Sequence, residues 1–403
     1  MKPTLFGYGL TTKAIASSLG GGCKIYDDKT QEAYLDSESN EILPSSEFDP
    51  SQSVLEITTP SFPPSHPLVQ QAHNLISEYD YFLSPRLNEK VPFSIWISGT
   101  NGKTTTTQML THLLAKRGAV SGGNIGTPLA QLDKKAPIWV LESSSFTLHH
   151  THEASPNIYL LLPITPDHLD WHGNASEYEQ SKLKPLLGMQ EGEMALIPKG
   201  LNLPTTDAFV VEYDSNAFLE EYFGIDASKI NFKGAFLQDA LLSLAISKAL
   251  FDEVDYKAMN NFKVDAHRQE EIIDAKGRIW INDSKATNID ATVQAIATFD
   301  DKAIHLILGG DDKGVDLNEL FEEMPKSIKL YAIGSNTERL MELANGYSIE
   351  ATACEVLEHA VEVIDGVLKE DQIALLSPAA ASKDQFKSYI DRGEQFRGFI
   401  AKL

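Results

Sequence analysis

A glycine-containing segment between a predicted strand and a predicted helix has the residue types that bind phosphate. It reads Ser98-Gly99-Thr100-Asn101-Gly102-Lys103-Thr104-Thr105. Glycines let backbone N–H groups turn toward a phosphate, and the positive end of the following helix adds to their effect. Lys103 can reach the β- and γ-phosphates of a nucleotide, and the Thr104 hydroxyl can ligate Mg²⁺. The spacing is tighter than the full G-x-x-x-x-G-K-[ST] pattern, but the flanking strand and helix favour a nucleotide site over a simple turn.

Two further predicted strands end in side chains that bind divalent cations. Glu142 follows one of these strands, and His168 lies in the loop after the next. Because ligands gather at the carboxyl ends of strands in open α/β sheets, both side chains are expected near the phosphate loop. Together they could hold a second Mg²⁺ beside the one at Thr104. Lys182 lies in a later predicted helix, where its local sequence predicts an ordinary charge facing solvent.

Three polar loops in the last third of the chain each follow a predicted strand and precede a helix. They are Asp283–Asn288, Gly309–Gly314 and Ser377–Asp384. Any one of these loops alone could be explained as an ordinary turn. Three such loops at the strand ends of one sheet form a rim, and a rim of this kind normally faces a substrate.

A shorter glycine loop, Gly7-Tyr8-Gly9, follows the first predicted strand. Thr12 stands where a dinucleotide-binding G-x-G-x-x-G loop has its third glycine, so this loop alone gives little support to a nicotinamide-dependent oxidoreductase. The same turn could hold a different diphosphate, with Asp27 meeting a ribose or a base.

These loops must be positioned by α/β elements, because short β-branched runs alternate with amphipathic helical stretches along the chain. The 403 residues predict three α/β domains: a small Rossmann-like domain over 1–88, a central P-loop-type ATPase domain over 89–265, and a Rossmann-like domain over 266–403. Ligands of parallel sheets bind at the carboxyl ends of the strands, where all the polar loops above are expected.

Composition restricts the partners. With 34 Lys and Arg against 57 Asp and Glu, the net charge is −23, which argues against nucleic-acid binding. Cys23 and Cys354 match no disulfide framework or zinc pattern, as expected in a reducing compartment. The N-terminus has no secretory signal, and the longest apolar runs are too short to span a bilayer. A cytoplasmic protein without a membrane partner is expected.

The motifs resemble those of the Mur ligase family of ATP-dependent amide-forming enzymes, in order along all three predicted domains. Besides the phosphate loop, the matching stretches are Thr59-Pro60 with Pro63–Pro67, Gly123–Pro128, Leu141–Phe146, Ile164–Asp170, Asp283–Asn288, Gly309-Gly310 and Ser377–Ser382. The resemblance is strongest to the member that adds D-glutamate to UDP-N-acetylmuramoyl-L-alanine, through an acyl phosphate, in peptidoglycan precursor synthesis. A monomer is expected.

The resemblance implies a role for each polar position. The ATP phosphates would be bound by Gly99 to Thr105, with Arg268 and Lys285 at the γ-phosphate, and the ATP ribose by Asp283. Two Mg²⁺ ions would be bound by Thr104, Glu142, His168 and Lys182. Lys182 would carry a carbamate, which overrides the interpretation from its local sequence. The implied catalytic residues are Lys103, His168, Lys182 and Lys285.

The same resemblance implies two substrate sites. Around UDP-N-acetylmuramoyl-L-alanine it places Leu10, Thr11, Asp27, Lys29, Asn124, Ser144 and His168. Around D-glutamate it places Thr287, Lys313, Ser382, Lys383 and Tyr389. The chain departs from the family at Gly234–Ala240, where asparagines that meet adenine are missing, so Gln238 or Asp239 is the expected replacement.

Three alternatives remain open at this point. Folylpolyglutamate synthase shares the phosphate loop and the acyl-phosphate route, but has no need of residues 1–88 for a UDP-sugar. Sister Mur ligases add other amino acids, although the Ser377–Asp384 loop favours D-glutamate. An ATP-binding scaffold without activity would lack the catalytic lysines. The chain nevertheless contains Lys103, Lys182, Lys285 and Lys313.

Overall fold

Three six-stranded sheets organise the chain in a computed structural model that describes residues 2–403. The chain forms two compact units. One comprises the residues up to 230 together with 239–261, and the other comprises 231–238 together with 262–403. The first unit contains two of the sheets and the second contains the third, so the predicted α/β class with three sheets is confirmed. The domain boundaries at 88 and 265 stay predictions.

The first sheet has the strand order β3-β4-β2-β1-β5-β6 and is parallel except at β3. Its strands are β1 (Thr4–Phe6), β2 (Lys24–Asp27), β3 (Tyr34–Leu35), β4 (Glu41–Pro44), β5 (Glu56–Ile57) and β6 (Leu75–Ile76). Its helices are α1 (Leu10–Ser18), α2 (Pro67–Gln71) and α3 (Glu78–Leu83). Aliphatic side chains on one face and aromatic ones on the other form its two small cores.

The second sheet is parallel throughout, in the order β12-β11-β10-β7-β9-β8. Its strands are β7 (Phe93–Ser98), β8 (Ala119–Gly123), β9 (Ile138–Glu142), β10 (Ile158–Leu161), β11 (Met194–Pro198) and β12 (Phe209–Tyr213). Its helices are α4 (Lys103–Leu114), α5 (Ser145–His149), α6 (Leu169–His172), α7 (Ala175–Leu183), α8 (Asn216–Phe223), α9 (Gly234–Phe251) and α10 (Tyr256–Asn261). β7 lies between β9 and β10, so the strand order reverses beside it. Ligand crevices form at such a switch point.

Helix α9 is the one described helix whose length and apolar composition would suffice to cross a membrane. Half of its most apolar stretch is buried inside the protein, and nine consecutive residues, Asp239–Ser247, are buried. A helix that is apolar on all sides is typical of a protein core as well.

The third sheet has the order β13-β14-β18-β15-β16-β17 and is parallel except at β13. Its strands are β13 (Glu270–Ile273), β14 (Ile279–Asn282), β15 (Ala303–Gly309), β16 (Lys329–Ile333), β17 (Glu350–Glu355) and β18 (Gln372–Leu376). Its helices are α11 (Ile289–Thr298), α12 (Asn318–Glu323), α13 (Thr337–Tyr347), α14 (Leu357–Asp365) and α15 (Tyr389–Ile400). The three polar loops follow β14, β15 and β18, which are neighbours, so the predicted rim has its supporting strands side by side.

Candidate active site

The phosphate loop runs from the end of β7 to the start of α4, as predicted. Two of its glycines have positive φ angles, +143° at Gly99 and +80° at Gly102. A Cβ atom on Gly99 would lie 2.5 Å from Leu162 Cβ, and one on Gly102 would lie 2.7 Å from Asp239 Oδ1. Only glycine therefore fits this turn, because both the backbone angles and the space exclude a side chain. Asp239, one of the two expected adenine residues, lies directly behind the loop.

Thr100 links the phosphate loop to the loop that carries His168. Its hydroxyl donates to Thr165 O at 2.9 Å, accepts from Thr165 N at 2.9 Å and lies 2.9 Å from the Tyr178 hydroxyl. The side chain of Thr100 therefore holds these two loops together. Asn101 and Thr104 are half-buried, whereas Thr105, in the first turn of α4, is buried.

The side-chain nitrogens of two lysines meet at one carbonyl of this loop. Lys103 Nζ donates to Gly99 O at 2.9 Å and to Thr100 O at 2.6 Å, and Lys182 Nζ donates to the same Gly99 O at 2.7 Å. Lys182 is 1% exposed, so the interpretation of a solvent-facing charge is wrong. Burial, and secondarily the positive charge of Lys103, holds the pKa of Lys182 well below its usual range. Its amine is therefore deprotonated more easily than that of an exposed lysine.

Glu142 ends β9 and is buried at 3% exposure. Its Oε1 accepts a hydrogen bond from Asn124 Nδ2 at 2.6 Å, while its Oε2 is buried without a hydrogen-bond partner among residues 2–403. A buried carboxylate oxygen that lacks a partner is costly unless a cation or a ligand donor satisfies it. The carboxylate therefore fits a divalent cation, as predicted from its place at the strand end.

His168 precedes α6 with a φ of +53°, and its side chain is 49% exposed. Its Nε2 lies 3.6 Å from Asp167 Oδ2, and its ring contacts Phe146 with centroids 4.8 Å apart. Among residues 2–403, no three or more His, Cys, Asp or Glu side chains form a group that could hold a metal ion. The predicted metal ligands are therefore of four different kinds: a threonine hydroxyl, a carboxylate, an imidazole and a lysine.

A cavity of about 190 Å³ lies between the first and second sheets, inside the first unit. Of the predicted UDP-sugar residues it is lined by Leu10, Thr11 and Asn124. Leu10 is 59% exposed, which is unusual for leucine and leaves an apolar surface at the start of α1. Glu78 also lines this cavity, and burial raises its pKa to about 7.

The other predicted UDP-sugar residues have structural partners. Asp27 accepts hydrogen bonds from Tyr8 N at 2.9 Å and Lys29 N at 3.0 Å, which fixes the first glycine loop. Lys29 is exposed. Ser144 is buried and caps α5 through a hydrogen bond from Thr147 N at 3.1 Å. None of these three side chains lines the cavity.

His150 lines the cavity and couples stability to pH. Its Nε2 lies 3.1 Å from Phe62 O, and burial, with smaller contributions from the neighbouring His149, His152 and Lys184, lowers its pKa to about 4. The unfolded chain binds this proton near pH 6.5 and the native chain near pH 4, so protonation between these values favours unfolding. We expect His150 to contribute about 2 kcal/mol of destabilisation between pH 7 and pH 5.

The test is thermal unfolding at pH 7 and pH 5 for the wild type and His150→Gln. The drop in Tm should be smaller in the variant. His73→Gln, at an exposed histidine, should keep the drop of the wild type. Equal drops in all three proteins would contradict the assignment to His150.

The third-sheet rim places Asp283 and Lys285 after β14. Burial raises the pKa of Asp283 to about 7, although Ser377 Oγ donates to its Oδ2 at 2.9 Å and Gln269 N to its Oδ1 at 3.2 Å. The Lys285 ammonium lies 4.4 Å from the ring centre of Tyr389. The positive charge of Arg268 opposes this rise in the pKa of Asp283. Arg268, predicted at the γ-phosphate, therefore lies near Asp283, predicted at the ribose.

The predicted D-glutamate residues lie on all three rim loops. Thr287, Lys313 and Lys383 are exposed, and Ser382 is 4% exposed. Lys313 has a φ of +52°, and its N–H bonds to Asp311 Oδ1 at 3.2 Å. The loops after β15 and β18 are held together by a pair of backbone hydrogen bonds of 2.9 Å between Asp311 and Ala381.

Sequence reasoning missed two residues that hold these sites together. Tyr79 is 1% exposed and donates a hydrogen bond to the carbonyl of Glu142, and Arg392 is completely buried beneath the rim. Neither belongs to a polar loop, and a tyrosine or arginine in a helix usually packs at a surface. No pattern in the sequence marks either residue, and only the structure shows that Gly393, next to Arg392, leaves no space for a Cβ, which would lie 2.3 Å from the His267 ring.

Comparisons with known proteins identify the family of the chain. The model of the Mur ligase middle domain matches residues 97–208, and that of the Mur ligase glutamate ligase domain matches residues 267–380. UDP-N-acetylmuramoylalanine–D-glutamate ligase of Campylobacter jejuni is 50% identical over 407 aligned residues, and that of Helicobacter pylori is 45% identical over 421, each over the full length of both chains. The crystal structure of MurF ligase from Thermotoga maritima in complex with ADP has the same fold, with a TM-score of 0.60 and 15% identity over 94% of each chain. Full-length identity of this extent, together with both domain matches, shows that the chain belongs to the Mur ligase family.

Proposed function

We propose that the protein joins D-glutamate to UDP-N-acetylmuramoyl-L-alanine at the expense of ATP, the activity for which its full-length relatives are named. The observation that carries the proposal is the pair of amines of Lys103 and Lys182 on the single carbonyl of Gly99. At a phosphate loop, Lys103 can stabilise the charge that develops on the transferred group, and the buried Lys182 beside it can become an anionic metal ligand.

The reaction has two balanced steps. The alanyl carboxylate attacks the γ-phosphorus of ATP, the bond to the bridging oxygen breaks, and ADP leaves with that electron pair. The product is an acyl phosphate, whose carbonyl is then attacked by the free amine of D-glutamate. A tetrahedral oxyanion forms, the amine loses a proton, and phosphate leaves to give the amide. Water must be excluded meanwhile, because an acyl phosphate hydrolyses.

Lys103 would bind the β- and γ-phosphates of ATP, with backbone N–H groups of the glycine turn around them. We propose that Thr104 holds one Mg²⁺ ion, and that Glu142, His168 and modified Lys182 hold a second. Mg²⁺ neutralises the charge that builds up on the phosphoryl oxygens. The unpartnered Oε2 of Glu142 supports a cation at this carboxylate.

We further propose that Lys182 carries a carbamate. The neutral amine attacks CO₂, a C–N bond forms, and one proton leaves to give an anionic carbamate. The burial of Lys182 and its neighbour Lys103 favour the neutral amine that this step needs. The resulting negative charge would also complement the ammonium of Lys103 and supply oxygen ligands for Mg²⁺.

In the second unit, we propose that Arg268 and Lys285 bind the transferred phosphate and Asp283 the ATP ribose. The D-glutamate residues would be Thr287, Lys313, Ser382, Lys383 and Tyr389. Exposed lysines beside hydroxyls suit a dicarboxylate ligand, because each carboxylate accepts several charge-assisted hydrogen bonds.

A cytoplasmic monomer completes the proposal. The substrates are nucleotides, both cysteines are buried as free thiols, and no step in the mechanism requires a second copy of the chain. Sedimentation equilibrium would test the oligomeric state.

The decisive experiment measures phosphate release with ATP, Mg²⁺, UDP-N-acetylmuramoyl-L-alanine and D-glutamate. We expect release to depend on both organic substrates, together with a product heavier by one glutamyl residue in mass spectrometry. L-glutamate and L-alanine serve as matched amino acids and should give background release. Release that does not depend on D-glutamate would contradict the ligase, and equal release with L-glutamate would contradict its stereochemistry.

A further inference from the structure

Three consecutive residues at the start of α3 bind three different segments of the second sheet. Glu78 Oε1 accepts a hydrogen bond from Leu129 N at 2.7 Å, and the Asp80 carboxylate accepts three, from the backbone of residues 152–154, at 2.8 to 2.9 Å. Between them, the Tyr79 hydroxyl donates to Glu142 O at 2.9 Å. All three side chains are buried. Since successive helical residues point about 100° apart, one short helix can reach three loops.

Tyr79 both lines the cavity and contacts the main chain of Glu142. Besides its bond to Glu142 O, its hydroxyl accepts from Ser143 Oγ at 3.2 Å, and its ring packs edge-on against Trp96 with centroids 4.8 Å apart. A Cβ on Gly123 would lie 2.4 Å from the Tyr79 hydroxyl, so the approach depends on glycine there. Both Tyr79 and Gly123 line the cavity.

The Tyr79 hydroxyl fixes the backbone of Glu142, the residue whose Oε2 is buried without a hydrogen-bond partner among residues 2–403. Glu142 O receives two donors, the Tyr79 hydroxyl and Asn124 N, the latter at 2.8 Å. Outer groups that orient a metal ligand commonly change metal affinity when they are removed.

We propose that Tyr79 is a positioning residue for Glu142, and that α3 thereby couples occupation of the cavity by the UDP-sugar to binding of the divalent cation. The inference rests on the proposed function for the identity of the two ligands. Tyr79 touches neither the transferred phosphate nor the cation. It acts through the backbone of Glu142 and Ser143.

The test is Tyr79→Phe, which removes one oxygen and keeps the packing on Trp96. Mn²⁺ serves as the probe, and its affinity is measured by electron paramagnetic resonance with a non-hydrolysable ATP analogue, with and without UDP-N-acetylmuramoyl-L-alanine. We expect Mn²⁺ to bind about tenfold more weakly to the variant. The tightening of Mn²⁺ binding on addition of the UDP-sugar should also be smaller than in the wild type.

Tyr81→Phe is the matched control, because Tyr81 lies in the same helix and its hydroxyl has no hydrogen-bond partner among residues 2–403. Thermal unfolding reports whether either variant is merely destabilised. Wild-type Mn²⁺ affinity in Tyr79→Phe, or an equal loss in Tyr81→Phe, would overturn the proposal. Ligation by the wild-type enzyme is assayed separately, so failure of the ligase function would be recognised independently of Mn²⁺ binding.

Discussion

Lys182→Ala is expected to lower kcat by about 10³-fold, the loss typical of removing a group that stabilises charge in a transition state. The variant loses both the hydrogen bond to Gly99 O and the amine on which the proposed carbamate forms. Because the side chain is fully enclosed, its truncation leaves a pocket that a small carboxylate can enter. Acetate or propionate should therefore restore activity at least tenfold, by supplying the missing anionic oxygens.

Three controls make this result specific. Chloride at the same ionic strength should not restore Lys182→Ala, and acetate should not change Lys184→Ala, a variant two residues along the chain. The wild type in ¹³C-labelled bicarbonate should show a carbamate carbon by NMR, and Lys182→Ala should not. Retention of wild-type kcat in Lys182→Ala, or the lack of both rescue and carbamate signal, would contradict the modification.

Lys182 also shows where sequence reasoning stops. Its helix α7 was predicted, but a helix alone does not reveal which face is covered. The burial of Lys182 depends on β7 and the phosphate loop, which lie about 80 residues earlier in the chain. Only the resemblance to a family singled out this lysine, and the structure then showed why its chemistry is unusual.

The fold itself was largely predictable, because alternating strands and helices determine parallel sheets and put polar loops at the strand ends. The phosphate loop, Glu142 and the three rim loops all lie where that rule predicts. The antiparallel strand β13 was not predicted, because two of its four residues, Glu270 and Glu271, are charged. In the structure it lies at the edge of the sheet, and Ile273 is 65% exposed. Edge strands carry weak patterns because one side of their backbone is unpaired.

Tyr79 and Arg392 were missed for another reason. Each holds loops together from behind, through hydrogen bonds to main-chain carbonyls, and a main-chain carbonyl has no signature in the sequence. Such residues become visible only when the loops are seen in three dimensions. Their substitution should nevertheless change both sites, through the loops that these residues hold in place.

Arg392→Met is accordingly expected to destabilise the second unit by about 3 kcal/mol or more. The guanidinium lies under the rim and donates to Ser284 Oγ at 3.0 Å, Ser284 O at 2.9 Å and Ala380 O at 3.2 Å. Burial lowers its pKa to about 10, so it remains charged at neutral pH. Methionine would leave two buried carbonyl groups without these donors, and each such loss costs about 1–3 kcal/mol.

Arg392→Lys separates the charge from the geometry. Lysine keeps a positive charge but cannot reproduce the fork that joins the loop after β14 to the loop after β18. Lys285, proposed to bind the transferred phosphate, is next to Ser284 in the chain. Ser382, proposed to bind D-glutamate, is two residues after Ala380. Both side chains should therefore shift when the guanidinium is lost. We expect the KM for D-glutamate to rise about tenfold, with a smaller change in the KM for UDP-N-acetylmuramoyl-L-alanine, whose proposed residues all lie in the first unit.

Arg397→Lys is the matched control in the same helix. Arg397 is 41% exposed and forms ion pairs with Glu270 and Glu394, which at the surface contribute at most about 1 kcal/mol. Denaturation monitored by Trp280, buried in the core of the second unit, and steady-state kinetics with each substrate measure the two effects. A normal KM for D-glutamate in Arg392→Lys, with unchanged stability of Arg392→Met, would show that the rim loops hold their positions without this guanidinium.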